Sequence, residues 1–207
     1  MPTYNHSPFG ELKGEVAEQI AYIRKGTKCT RKKPSTYKDA NTLKQQAARK
    51  KMSELNKLSK VFSKCSLIGL RNTGQGQTEH NLFVQLNKNV VTVNEQMQVD
   101  MTVAQIIAAK GSLQKTNGTL SASKTGTDLT LSWNKGLNEA NWSHKVVVAY
   151  RISEIAELIT EILETKREDE TATITMPMAT TGVVDIWFYF KDPASRNVSD
   201  SEYKQIT

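Results

Sequence analysis

Between Leu120 and Ile206 the chain repeats one pattern: a short run rich in β-branched and aromatic residues, a turn, and another such run. The runs are 120–124, 128–133, 145–151, 171–177, 183–190 and 198–206. In the first two, apolar and polar side chains alternate with period two, as in strands that bury one face. Counting the β-branched stretch Gln98–Ala108, which ends at the turn Lys110-Gly111, there are about seven strands in roughly 110 residues. Short strands at this density, joined by frequent turns, are the pattern of a β-sandwich.

One stretch leaves two readings open. Ile152, Ile155, Ala156, Ile159, Ile162 and Leu163 are spaced as on a helix, with Glu154, Glu157, Glu161 and Glu164 beside them. Residues 152–165 are therefore either an amphipathic helix between two strands or an irregular edge strand and loop. The glutamates read as a solvated ridge rather than an acid and base pair, since nothing gives them different environments.

Upstream the periodicity changes. Leu43, Ala47, Ala48, Met52, Leu55, Leu58, Phe62 and Cys65 recur at spacings of three and four behind Asn41 and Thr42, both good N-caps. This predicts an amphipathic helix over 42–66 whose stripe needs a partner. The polar run from Arg71 to Thr78 reads as a loop, and order resumes between His80 and Val93. Residues 11–31 fit either a helix, on the spacing of Leu12, Val16, Ile20 and Ile23, or a β-hairpin turning at Lys25-Gly26. The expected organisation is a basic N-terminal region, 1–95, followed by a sandwich, 96–207.

Charge is concentrated at one end. Residues 1–100 hold 17 basic and 8 acidic side chains, net +9, whereas residues 101–207 hold 11 and 13, net −2. Within 24–64, 14 basic residues meet only Asp39 and Glu54. If Arg24, Lys25, Lys28, Arg31, Lys32, Lys33, Arg49, Lys50 and Lys51 shared a face, they would neutralise several phosphates without reading sequence. Tyr22 and Tyr37 are the only aromatics among them before the helix, a poor supply for base stacking. The plainer reading is a solvated surface.

The sequence supplies little for catalysis. His6, His80 and His144 form no pair at metal-ligand spacing, and Cys29 and Cys65 are too few for a thiolate zinc site. Cys29 lies among Lys28, Arg31 and Lys32 without an orienting base. The glycines Gly74 and Gly76 lack the Lys-Ser/Thr of a phosphate loop. No cofactor is expected. Trp133 and Trp187 read as fillers of the sandwich core, and Trp142 as either a partner anchor or a loop residue folded over the sandwich edge. No run approaches the roughly 18 apolar residues of a bilayer span. The opening residues lack the basic and apolar regions of a secretory signal, so the expected location is the cytoplasm, with release as part of a particle as a further option.

Two resemblances add to this. With Trp133 ending one strand, Tyr150 ending the next, Thr171–Pro177 running to the turn at Thr181-Gly182 and Ser199–Ser201 leading into a last strand, the C-terminal half resembles a fibronectin type III module, an immunoglobulin-like sandwich. It departs from that module after Gly182, where a tyrosine is usual and this chain has Val184-Asp185. The whole chain resembles an uncharacterised bacterial family of about this length. The matching residues are the opening run from Tyr4 to Gly14 (YNHSPFGELKG), Asn41-Thr42 with Gln45, Gln46, Ala47 and Arg49, the run Lys110–Leu113, and Ser199–Tyr203. That likeness implies a shared fold and no known activity. Some glycines expected between Val16 and Gly26 are missing here. More loosely, the basic start and the following helix are similar to small structural proteins of bacteriophages and prophages. The expected fold is mainly β, with a fibronectin type III-like sandwich preceded by a basic hairpin and a long helix. The expected role is non-catalytic binding or assembly with a protein partner or with itself, the alternative being nucleic-acid binding through 24–64.

Overall fold

A computed structural model describes residues 14–16, 18–24, 26–34, 39–71, 77–155 and 157–207. The opening run through Lys13, together with Lys25, Tyr37 and the glycines Gly74 and Gly76, lies outside the described residues. The chain forms two compact units, 1–42 and 43–207. The boundary expected at 95/96 falls inside the second unit, because the helices upstream of it share a core with the sheet downstream.

The first unit contains a three-stranded antiparallel meander, β1 (Gly14–Val16), β2 (Gln19–Arg24) and β3 (Thr27–Lys32). Of the two readings of 11–31, the hairpin is the one adopted, with Arg24 opposite Thr27 as its last pair. Gly26 takes φ +79°, a conformation open to glycine, and so permits the tight turn.

The second unit is a β-sandwich with helices on one outer face. Its strands are β6 (Ser121–Thr125), β7 (Asp128–Ser132), β8 (Lys145–Ile152), β9 (Ile159–Lys166), β10 (Thr171–Thr175), β11 (Val184–Lys191) and β12 (Glu202–Ile206). They form sheets of order β10-β7-β6 and β12-β11-β8-β9, the seven-strand arrangement of a fibronectin type III sandwich. The segment with helical spacing is β9, an edge strand paired with β8 from Tyr150↔Ile159 onward. Its isoleucine spacing is compatible with either state, and the exposed backbone of β8 decides in favour of the strand.

Alternation along β11 sorts its side chains between two cores. Val184, Ile186, Phe188 and Phe190 join Leu129, Leu131 and Trp133 between the sheets. Trp187 and Tyr189 point the other way, into a cluster with Leu58, Phe62, Cys65 and Phe83 from three helices, α1 (Leu43–Val61), α2 (Ser63–Gly69) and α3 (Glu79–Leu86). The helix expected over 42–66 is thus two helices. The chain turns at Phe62, whose ring stacks on Phe83 at 5.4 Å and meets Trp187 edge-on at 4.8 Å. Trp133 fills the sandwich core as expected, but Trp187 does not. It lies under the helices.

The stretch Gln98–Ala108 also departs from its strand reading. Only β5 (Val99–Met101) is extended, paired with β4 (Val91–Val93), and both lie outside the sandwich sheets. Beyond it the buried Asn87 side chain replaces a strand partner, donating to the carbonyls of Phe83 and Ile107 and accepting from the Ile107 N–H. This holds Ala108 and Ala109 against α2, where a Cβ on Gly69 would lie 2.6 Å from the Ala109 Cβ. Only glycine fits there. Burial pushes the Cys65 thiol up to about 12, and its sulfur faces the Tyr189 hydroxyl. Native protein at pH 8 is therefore expected to leave Cys65 unmodified by a disulfide reagent until denaturant is added. Modification of Cys65 at the rate of a free thiol would show that this core opens.

Candidate functional site

The basic residues fall in both units. Arg24, Lys28, Arg31, Lys32 and Lys33 belong to the first unit, and Arg49, Lys50 and Lys51 to the second. Within the meander, residues paired across strands share a face, so Lys28 lies with Ile23 and Lys32 with Gln19, while Arg31 lies on the opposite face with Ile20. Arg24 shares that second face by parity. Two residues are further engaged within the unit, as Lys33 pairs with Glu15 and Lys32 approaches Glu18 at 3.9 Å. On α1, Lys50 donates to the Met97 carbonyl, and Arg49, Lys50 and Lys51 spread round the helix at about 100° per residue. Each face of the meander thus carries two described strand cations, Lys28 and Lys32 on one and Arg24 and Arg31 on the other. Binding of a random duplex through either face is expected to give log K against log salt a slope of about −2. A slope of −6 or steeper in a fluorescence-anisotropy salt series would mean that both units engage the backbone together.

A second feature is built at the end of the sandwich where β7 leads into β8. Arg167 follows β9 in a sequence of charged residues, yet it is fully buried. Its Nε donates to the Lys135 carbonyl, Nη1 to that of Gln114 and Nη2 to that of Lys115, each at 2.7 Å. Its guanidinium lies 4.4 Å from the Phe190 ring centroid, and its own carbonyl accepts from the Trp133 indole at 2.9 Å. The loop it holds is braced again from within. Asn134 Oδ1 accepts from the Gly136 N–H at 2.8 Å, and the Asn138 side chain caps the next turn by accepting from the Ala140 N–H.

Trp142 is folded back onto this loop. Its Nε1 donates to the Gly136 carbonyl at 3.2 Å, and the Lys135 ammonium lies 4.6 Å from its ring centroid. The residue that projects is Leu137, 96% exposed. Nearby His144 is buried, and burial holds its imidazole below the usual histidine range against the pull of Asp192.

At the opposite end of β8 and β11, Asp185 is nearly buried and accepts from Arg151 Nη2 at 2.7 Å, Tyr203 Oη at 2.6 Å and Gln205 Nε2 at 3.0 Å. Burial alone would raise its carboxyl, but these donors outweigh it and hold the group below the usual carboxylate range. A depressed folded value stabilises the protein fully above the unfolded value and loses that contribution as pH falls through the folded one. Asp185→Asn is therefore expected to cost about 2 kcal/mol at pH 7, a gap that closes below about pH 4. Urea unfolding at a series of pH values checks this, and a gap independent of pH would contradict it.

The sequence singled out none of Leu137, Arg167, Asp185 or Asn87. Arg167 sits in the run Lys166–Glu170, which reads as solvated, and its acceptors lie more than 30 positions away. The one available signal was Val184-Asp185, a charge inside an otherwise apolar strand. Among the described residues no group of three or more His, Cys, Asp and Glu side chains is placed to hold a metal, and no helix is long and apolar enough to cross a membrane.

Fold and site together define a fibronectin type III-like sandwich carrying a helical layer and a braced apical loop. The chain belongs to the family of unknown function DUF6266, whose model matches residues 11–205. No curated protein matches it. Among solved structures it is similar to a fibronectin type III domain of human collagen XX, at 13% identity and TM-score 0.35, over 45% of this chain and 88% of that one. It is also similar to a computationally redesigned β-sandwich protein, at 13% identity and TM-score 0.36, over 46% and 90%. A third is a family 76 glycoside hydrolase from a bovine Bacteroides thetaiotaomicron strain, at 16% identity and TM-score 0.33, over 45% of this chain and 20% of the hydrolase.

Proposed function

We propose that this protein is a non-catalytic binding and assembly component that contacts a second copy of itself through the loop between β7 and β8. The observation that carries this reading is Leu137, almost wholly exposed on a loop otherwise tied down at Asn134, Lys135, Gly136 and Asn138. A single exposed leucine is ordinary on a protein surface. One held on a rigid mount differs, because the ordering entropy of the contact is already met by the fold and the apolar surface is free to be buried. Trp142 acts here as part of the mount rather than as the anchor.

Sedimentation velocity over a concentration series tests the reading. The protein is expected to self-associate, and Leu137→Asp to weaken that association about tenfold, or about 1.4 kcal/mol. A monomer at every concentration, or association indifferent to Leu137→Asp, would sink it. The basic segment is the second candidate surface, and the salt series above reports on it separately.

A further inference from the structure

We propose that the turn at Asn117-Gly118, just before β6, is a site of spontaneous covalent modification at which Asn117 exchanges its side-chain amide for a carboxylate by reaction with water. The chemistry does not depend on the assembly reading. This is the only Asn-Gly pair in the chain. Both residues are exposed, as is Thr119 after them. Gly118 takes φ +119°, and a Cβ there would meet nothing within 4 Å, so the turn stands clear of its surroundings. Among the described residues, neither the Gly118 N–H nor the Asn117 side-chain amide makes a hydrogen bond, and these are the two groups that must react. The turn is anchored around them instead. The Thr116 N–H and hydroxyl donate to Glu202 at 3.0 and 2.6 Å, and the Asn117 N–H donates to the Asn134 carbonyl at 3.3 Å. Asn87, Asn94, Asn134, Asn138 and Asn141 differ on both counts. Their side chains are hydrogen-bonded, and each is followed by a residue whose side chain crowds the next backbone nitrogen.

The Gly118 nitrogen gives its proton to hydroxide and attacks Asn117 Cγ, forming an N–C bond. The bond from Cγ to Nδ2 breaks, and the departing nitrogen takes a proton from water and leaves as ammonia. The five-membered imide that results has two carbonyls open to water. Hydrolysis between Cγ and the ring nitrogen gives aspartate, and hydrolysis between the main-chain carbon and that nitrogen gives isoaspartate. One water is consumed and one ammonia released, with no further reactant. The product carboxylate forms near Arg167, since a Cβ on Gly136 would lie 3.5 Å from the Asn117 Cβ and 3.6 Å from Arg167 Nη2. Isoaspartate also adds a methylene to the main chain between the anchored Thr116 and the buried Leu120. Both products therefore alter the foot of the loop that Arg167 braces.

Peptide mass mapping of the full chain, incubated at pH 8 either folded or unfolded in urea, provides the test. Trypsin cuts after Lys115 and Lys124, and the peptide 116–124 that it releases has Asn117 as its one side-chain amide. In the folded protein that peptide is expected to turn into its acid form at a rate within threefold of the unfolded chain. Isoaspartate, resolved from aspartate by chromatography, is expected among the products, because only the imide route makes it. The peptide 125–135, which holds Asn134, serves as the internal standard and is expected to react at least tenfold more slowly in the folded protein. Asn117→Gln, whose longer side chain cannot close the five-membered ring, is expected to leave 116–124 unchanged over the same period. A folded rate more than threefold below the unfolded one would overturn the assignment, because the fold would then protect the turn. Aspartate without isoaspartate, or an Asn134 rate less than tenfold behind, would overturn it as well.

Discussion

Arg167→Met is expected to lower the unfolding free energy by about 4 kcal/mol, enough to threaten the fold of a domain this size. The substitution keeps the side chain's length and removes its five donors. Three carbonyls, of Gln114, Lys115 and Lys135, then lose a charged donor around a side chain that is itself fully buried. The contact with the Phe190 ring is lost as well. Each such bond contributes roughly 1.5–3 kcal/mol singly, and three bonds to one group contribute less than their sum. Arg167→Lys is expected to recover under half of the loss, since an ammonium on a flexible stem cannot reach three carbonyls in one plane. Denaturant unfolding measures both variants. A loss under about 1 kcal/mol for Arg167→Met would mean that the loops satisfy their carbonyls without it. The braced mount beneath Leu137 would then fall with it.

The second large effect concerns the helical layer. Phe62→Ala is expected to cost about 3–5 kcal/mol, the range for deleting a buried phenylalanine. Phe62 stands where α1 gives way to α2, and it joins Phe83 on α3 to Trp187 on β11. If the helices are integral to the sandwich, the whole unit from Leu43 to Thr207 melts in one transition that shifts as a block. Far-ultraviolet circular dichroism and tryptophan fluorescence should then report the same midpoint. If the helices were an independent layer, the mutant would lose helical signal first and keep its inter-sheet Trp133 environment. Two separated transitions would contradict the single core described for this unit.

The sheet of order β12-β11-β8-β9 explains why both variants reach so far. β8 and β11 are buried on both faces, one against the second sheet and one against the helices, so neither face is left for a ligand along most of their length. What remains accessible is the two ends. At one, Arg167 organises a loop. At the other, Asp185 gathers Arg151, Tyr203 and Gln205.

Much of this was legible in the residues. Period-two alternation marked β6 and β7, the spacing of Leu55, Leu58 and Phe62 marked a helix, and Lys25-Gly26 marked the turn in one of the two readings of 11–31. These signals are local, because a strand or helix with one buried face imposes its own period on neighbouring residues. The density of basic residues between 24 and 64 was equally plain, but its division between two units and two faces of a meander was not. Charge count carries no information about convergence in space.

The sequence by itself determined that the C-terminal half would be a sandwich of short strands and that an amphipathic helix would precede it, since binary patterning states which faces must be buried. Only the tertiary structure decided what buries them. Trp133 directly follows β7 and Trp187 stands within β11, yet one lies between the sheets and the other under the helices. A strand apolar on both faces, such as β11, reads the same from either side. Arg167 and Asn87 are the sharper case. Each is polar, and each is buried because backbone groups distant in the chain arrive with unsatisfied hydrogen bonds that its side chain completes.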